Sequence, residues 1–126
     1  MRVVFDSSIL IDELRGYPPA VDFFKNTAPQ ELTCFVSVIT ETELYSGKKC
    51  NTPEGLESVN EILSLFTIIN VDREIAKKAG EFRRKYGVDI PDAIVAATAF
   101  YQNCKIWTKN IEDFKKIKEI EAEDPY

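Results

Sequence analysis

Acidic side chains dominate the residues that could carry chemistry in this chain of 126 residues. The sequence contains no histidine, which excludes Ser-His-Asp and Cys-His catalysis as well as zinc or iron held by histidine. It also contains no Gly-rich phosphate-binding loop. Aspartate and glutamate together number 21, and carboxylates with water are the ligands that suit magnesium or manganese.

Four of these acids stand out because of where they fall relative to predicted strands. Asp6 directly follows the first strand, and Glu43 lies one turn after the second. Asp92 begins the helix that leads into the fourth strand, and Asp113 follows that strand. Ligands of α/β sheets gather beyond the carboxyl ends of the strands, so we expect these four side chains to converge at one sheet edge.

The elements that must position these acids can be read from the apolar pattern. Short runs rich in β-branched and aromatic residues predict strands at 2–5, 32–39, 66–71 and 104–108, with 117–120 as a candidate edge strand. Helical patterns fill the intervals, including a helix over 73–86 capped by Asp72 and a nearly all-apolar helix over 93–100. This alternation predicts an α/β domain around a mainly parallel sheet of four or five strands.

Asp6 and Glu43 each have a structural alternative. Asp6 could cap the helix that follows it, although Ser7 or Ser8 could do so instead and leave Asp6 free. Glu43 could complete a capping box by reaching back to the amide of Thr40. Neither acid is assigned to a site on its own, and their convergence is the informative feature.

Asp92 and Asp113 also have structural alternatives. Asp92 follows Pro91 at a helix start, where the macrodipole favours an acid in any case. Asp89, three residues earlier, suits a turn or a cap better than a site. Asp113 could simply close the polar turn that begins at Asn110.

Charge and composition limit the partners and the compartment. The net charge of −5 argues against a protein that coats nucleic acid, but it leaves room for an enzyme that holds phosphate through metal ions. The basic run Arg83-Arg84-Lys85 is typical of a solvated helix end, with contact to phosphate as the alternative. The three cysteines lack metal-site spacing, and no signal peptide or membrane span is visible, so we expect a cytoplasmic protein without a membrane partner.

Four sequence blocks resemble one known family in order and spacing. The blocks are VVFDSS at 3–8, SVITETELYSG at 37–47, PDAIVAATA at 91–99 and TKNIEDF at 108–114. Together they resemble the PIN domain, and among PIN domains they are most similar to the VapC-type toxins of prokaryotic toxin–antitoxin pairs. The resemblance covers nearly the whole chain and implies a single PIN-like domain over residues 1–126 with a three-layer α/β/α fold.

The resemblance also implies an activity, a cofactor and partners. It implies an endoribonuclease that uses Mg²⁺ or Mn²⁺ to hydrolyse RNA phosphodiester bonds, a homodimer, and inhibition by a cognate antitoxin protein. The family's catalytic, metal-binding acids fall on Asp6, Glu43, Asp92 and the Asn110/Asp113 region, which leaves Asn110 or Asp113 as the fourth ligand. We expect the remaining contacts to metal-bound water or phosphate from Asn110, Thr108 and Ser7 or Ser8.

Two other functions are compatible with parts of the sequence. An inactive PIN scaffold that binds proteins would explain the asparagine at position 110, while the retained Asp6, Glu43 and Asp92 argue against it. A phosphoacceptor receiver domain is also an acidic α/β unit of similar length. It requires an acid pair after the first strand, where only Asp6 stands. It also requires an acceptor aspartate at the end of a central strand, and Asp72 is a poor acceptor because capping explains it.

Overall fold

A five-stranded parallel sheet forms the centre of the protein in the computed structural model, which describes residues 1–27 and 32–126. The strands follow the spatial order β3-β2-β1-β4-β5, and every neighbouring pair is parallel. Their bounds are Arg2–Phe5 (β1), Thr33–Ser37 (β2), Thr67–Ile69 (β3), Lys105–Trp107 (β4) and Ala122–Glu123 (β5). The central position of β1 puts the residue after it, Asp6, in the middle of the carboxyl edge.

Helices connect the strands and cover both faces of the sheet. They are α1 (Ser7–Leu14), α2 (Pro18–Asn26), α3 (Val38–Tyr45), α4 (Pro53–Leu63), α5 (Arg73–Tyr86), α6 (Ile90–Gln102) and α7 (Ile111–Phe114), with a 3₁₀ turn at Lys48–Asn51. In the described part of the chain the longest helix is α5, with 14 residues. No helix there combines the length and the hydropathy that a bilayer crossing requires.

Alternating side chains along the strands build two cores, one on each face of the sheet. Phe5 and Trp107 belong to the core beneath α1–α4, whereas Val4 and Ile106 belong to the core beneath α5–α7. Because both faces are covered, the strands read as continuous apolar runs and not as an apolar–polar alternation. The expected three-layer α/β/α fold with a parallel central sheet is therefore confirmed.

Aromatic packing fixes the end of β1. The Phe5 ring is fully buried and makes edge-on contacts with Phe66 and Trp107, at centroid distances of 4.8 and 5.3 Å. Phe23 and Phe24 of α2 complete the cluster. Each such pair contributes about 0.5–1.5 kcal/mol beyond the area it buries. The chain thus leaves the sheet at Asp6 from a rigid anchor.

Helix α6 brings Asp92 to the same edge. Its alanines at 93, 96, 97 and 99 are buried, so the helix packs closely in the core, as its apolar sequence predicts. The two ends of α5 also match the prediction. Asp72 caps the start of this helix by accepting the Ile75 amide at 2.9 Å, and Gly87 ends it at φ +73°.

Two predictions for the chain after β4 are wrong. The segment 117–120 is not a strand. Its Ile117 is buried in the core beneath α5–α7, and the edge strand is instead β5. Glu123 holds β5 against β4 by accepting hydrogen bonds from the Trp107 indole at 2.6 Å and from Lys105 at 2.7 Å. The residues after β4, predicted to form only a turn, include the short helix α7.

Candidate functional site

A pocket of about 630 Å³ opens at the carboxyl edge of the sheet. Five acids line it: Asp6, Glu43, Asp89, Asp92 and Asp113. The structure therefore brings together all four acids that the sequence singles out, from the end of β1 and from α3, α6 and α7. It adds Asp89, which occupies the N-cap position of α6 without a side-chain cap bond.

Asp6 is the most deeply buried of these acids, with 5% of its surface exposed. Its Oδ2 accepts hydrogen bonds from the Ser8 and Thr108 hydroxyls, both at 2.8 Å. Asp6 does occupy the N-cap position of α1, yet its side chain makes no cap bond. Since none of the described hydrogen bonds uses Oδ1, that oxygen remains available to a ligand in the pocket.

The loop after β4 is tied to this carboxylate through the same two hydroxyls. Thr108 Oγ1, fully buried, accepts the backbone N–H of Asn110 at 2.8 Å. Ser8 Oγ accepts the backbone N–H of Lys109 at 3.0 Å. Each hydroxyl therefore donates to Asp6 and accepts from the loop, so the loop and the carboxylate hold each other in place.

Glu43 does not take part in a capping box, and that alternative is wrong. Helix α3 begins at Val38, and its cap is Ser37, whose hydroxyl accepts the Ile39 amide at 3.1 Å. Thr40 lies inside the helix, where its buried hydroxyl has no hydrogen-bond partner within the described chain. With the helix starting one turn earlier than predicted, Glu43 is free to face the pocket.

The electrostatic cost of gathering these acids appears in their pKa values. Burial, reinforced first by the charge of Asp6 and then by those of Asp113, Asp89 and Glu43, raises the pKa of Asp92 to about 6. Burial and the charge of Asp6 also raise the pKa of Glu43, and hydrogen bonding by Ser7 opposes this shift. The pocket thus favours protons or cations over a full set of bare carboxylates.

Asn110 and Asp113 both line the pocket, so both candidates for the fourth position lie there. Asn110 is the N-cap residue of α7 and is exposed. Asp113 is partly exposed and lies 3.5 Å from the Lys116 ammonium group. The sequence does not distinguish Ser7 from Ser8, but the structure does. Ser7 hydrogen-bonds to Glu43, and Ser8 hydrogen-bonds to Asp6.

One basic residue of the pocket had only a weak sequence signal. Arg83 comes from the last turn of α5 and lines the pocket beside Asp89 and Ile90. In the sequence it stands in a basic run, where a solvated helix end is the simpler interpretation. Only the fold, which sets the end of α5 next to the start of α6, shows that Arg83 reaches the acids.

The donor chemistry of the pocket fits a hard divalent cation. Carboxylates and hydroxyls supply oxygen donors, and a cation would relieve the repulsion that raises the Asp92 pKa. Within residues 1–27 and 32–126, no three Asp, Glu or Cys side chains form a group that could hold a metal ion in the arrangement seen here.

We expect the metal-free protein to lose stability as the pH rises through the Asp92 pKa. The folded state holds this proton more tightly than the unfolded chain between the ordinary pKa of 3.8 and about 6. The fold therefore gains stability as the pH falls through that window and loses it as the pH rises. In EDTA, the Tm of Asp92→Asn minus the Tm of the unchanged protein should grow by roughly 3–6 °C from pH 5 to pH 7.5. This growth corresponds to about 1 kcal/mol in the free energy of unfolding.

Thermal unfolding followed by circular dichroism at several pH values measures this difference. The variant serves as the reference because it shares every other titrating group with the unchanged protein. Saturating Mn²⁺ at pH 7.5 should stabilise the unchanged protein more than the variant. A Tm difference that shrinks with rising pH would contradict the electrostatic origin.

The fold and the pocket define the class of protein: a parallel α/β domain with a carboxylate pocket at the centre of its carboxyl edge. The family profile described as PIN domain matches residues 3–120. This chain therefore belongs to the PIN-domain family. It is similar to Ribonuclease VapC1 of Methanocaldococcus jannaschii, with 32% identity over 94% of this chain and 83% of the relative. Ribonuclease VapC10 of Mycobacterium tuberculosis is 29% identical over 94% of this chain and 90% of its own.

Solved structures show the same fold. A chain of the toxin-antitoxin complex from Klebsiella pneumoniae superposes with a TM-score of 0.81 at 31% identity, covering 98% of both chains. A chain of VapBC2 from Rickettsia felis, bound to a DNA fragment from its promoter, reaches a TM-score of 0.83 at 21% identity, also over 98% of both chains. The second likeness, at its low identity, concerns the fold alone.

Proposed function

We propose that this protein is a metal-dependent endoribonuclease that hydrolyses RNA phosphodiester bonds and acts as the toxin of a VapBC-type toxin–antitoxin pair. The observation that carries the proposal is the convergence of Asp6, Glu43, Asp92 and Asp113 in one pocket. Membership of the PIN-domain family and similarity to proteins named VapC ribonucleases support RNA as the substrate. In this proposal residues 1–126 form a single PIN-like domain.

The proposed ligands of Mg²⁺ or Mn²⁺ are Asp6 and Asp92, with Glu43 completing the cluster and Asp113 or Asn110 adding a further contact. When bound by these residues, the ion would supply Lewis-acid chemistry toward the phosphate and toward water. Asp6 contributes Oδ1, since Thr108 and Ser8 hold its other oxygen.

The hydroxyl groups have a separate role in this proposal. Thr108 and Ser8 orient the Asp6 carboxylate through the bonds to Oδ2. Ser7 does the same for Glu43, and its hydrogen bonding favours the charged form of that acid. Replacing a residue that fixes the orientation of a metal ligand typically costs about 10–100-fold in metal affinity or activity.

The proposed protein partners are a cognate antitoxin and a second copy of the chain. Solved relatives include toxin-antitoxin complexes, which supports the first. A groove of about 600 Å³ combines apolar residues such as Phe24 and Leu65 with charged ones such as Lys25 and Glu61, a mixture of the kind found at protein interfaces. The second copy is proposed from the family resemblance alone.

RNA cleavage in the presence and absence of divalent ions tests the proposed function. The purified protein is incubated with structured and unstructured RNA in Mg²⁺, in Mn²⁺ or in EDTA. We expect cleavage with either ion, loss of cleavage in EDTA, and recovery when Mn²⁺ is added in excess. Cleavage that persists in EDTA would contradict the metal dependence. A protein that cleaves no RNA under any of these conditions would instead fit the inactive scaffold.

A further inference from the structure

We infer that Arg83 binds a phosphate group of the RNA next to the bond that is cleaved, and so positions the substrate. This inference rests on the proposed function. Arg83 is the only basic side chain among the residues that line the acidic pocket in the described part of the chain. It lies 3.8 Å from Asp89, one of the five acids of that pocket.

The Arg83 side chain is anchored on one side and open on the other. Its Nη1 donates a hydrogen bond to the Val88 carbonyl at 2.9 Å, which fixes the guanidinium against the loop before α6. Its distance to the Asp89 carboxylate is 3.8 Å, and because the Asp89 side chain is 87% exposed this pair is weak. Half of the Arg83 side chain is exposed to solvent.

The remaining donors of Arg83 match a phosphodiester. A guanidinium has five N–H donors in a planar fork, and the described hydrogen bonds engage only Nη1. The other N–H groups can bind two phosphate oxygens side by side, a geometry that a lysine ammonium cannot reproduce. Fixing Nη1 at Val88 restricts the fork before the ligand arrives, which reduces the entropy lost on binding.

The charge distribution explains why RNA binding needs a cation here. The proposed metal neutralises the phosphate that is cleaved, but an adjacent phosphate enters the same acidic surface with no ion of its own. Repulsion from the carboxylates would oppose that entry. Arg83 places one positive charge on the pocket wall and offsets this repulsion for a flanking phosphate.

Three variants test the role of Arg83: Arg83→Ala, Arg83→Lys and, as the matched control, Arg84→Ala. Arg84 is the next residue of the same helix, carries the same charge, is exposed, and is not among the residues that line the pocket. Steady-state cleavage of a single-stranded RNA oligonucleotide in Mn²⁺ gives kcat and KM. We expect Arg83→Ala to raise KM roughly tenfold with a smaller change in kcat, and Arg84→Ala to stay within about twofold of the unchanged protein.

The salt dependence of binding separates a phosphate contact from a structural role. Binding of the labelled oligonucleotide is measured by fluorescence anisotropy with all three variants placed in the cleavage-deficient Asp92→Asn protein. Loss of one contact to single-stranded RNA should reduce the slope of log Kd against log salt concentration by about 0.7. Arg83→Ala should show this reduction, and Arg83→Lys should retain the slope while binding more weakly than arginine.

Three outcomes would overturn the inference. If Arg83→Ala lowers the Tm but leaves KM and the salt slope unchanged, Arg83 serves only to hold the Val88 carbonyl. If Arg83→Ala and Arg84→Ala behave alike while the unchanged protein cleaves RNA, the inference fails and the proposed function stands. If the unchanged protein cleaves no RNA, both fail together.

Discussion

We expect the replacement of Asp6 by asparagine to lower RNA cleavage by at least about a hundredfold and to leave the fold intact. Even groups that only orient metal ligands cost about 10–100-fold in affinity or activity, and Asp6 is proposed as a ligand itself. The amide keeps the size of the side chain and an oxygen that can still accept from Ser8 and Thr108. What it loses is the negative charge that the proposed cation requires.

The same substitution should lower activity without lowering stability. Among the neighbouring charges, that of Asp6 raises the pKa of Asp92 most, so removing it relieves repulsion in the metal-free pocket. We therefore expect the Tm of Asp6→Asn in EDTA to equal or exceed that of the unchanged protein. Asp22→Asn on α2, exposed and outside the pocket lining, is the matched control and should cleave normally. Cleavage that persists in both Asp6→Asn and Asp92→Asn would contradict the assignment of this pocket as the catalytic site.

Replacing Thr108 by valine should damage both activity and stability. The side chain is fully buried, and valine has nearly the same shape but no hydroxyl. The change removes a donor to Asp6 and the acceptor of the Asn110 amide at once. We expect a loss of about 1–3 kcal/mol in the free energy of unfolding, from the polar groups left unpaired. Cleavage should fall by about 10–100-fold, because Asp6 loses one of its two anchors.

A conservative variant and a matched control make this result specific. Thr108→Ser keeps the hydroxyl and should restore most of the Mn²⁺ affinity and cleavage. Thr98→Val removes another fully buried hydroxyl, which donates to the Ile94 carbonyl inside α6, away from the pocket. It should leave cleavage within about twofold of the unchanged protein. Equal Mn²⁺ affinity in Thr108→Val and the unchanged protein, measured by calorimetric titration, would contradict the anchoring role.

Features with a local cause were predictable from the sequence. The apolar runs of β1 and β4 and the buried alanines of α6 are visible as patterns, because both faces of a parallel strand and all sides of a core helix must be apolar. The four acids could be placed at one sheet edge by the rule that parallel strands end together. RNA as the substrate came only from the family resemblance, because no spacing of acids specifies it.

Features that depend on tertiary contacts could not be predicted in the same way. Ser37 and Thr40 are both good caps, and the choice between them depends on where β2 stops pairing with β3. The segment 117–120 looks as apolar as an edge strand, but Ile117 finds a place in the core and the acidic β5 pairs instead. Arg83 reaches the pocket only because α5 and α6 pack together.

The central position of β1 has a consequence for the timing of synthesis. β1 pairs with β4, whose partner residues lie about one hundred positions later, and Asp6 receives its bond from Thr108. At about 5–20 residues per second, a ribosome needs roughly 5–20 s to make the intervening chain. The pocket therefore cannot assemble on a nascent chain until β4 has emerged, so an incomplete chain still attached to its ribosome lacks the proposed nuclease site.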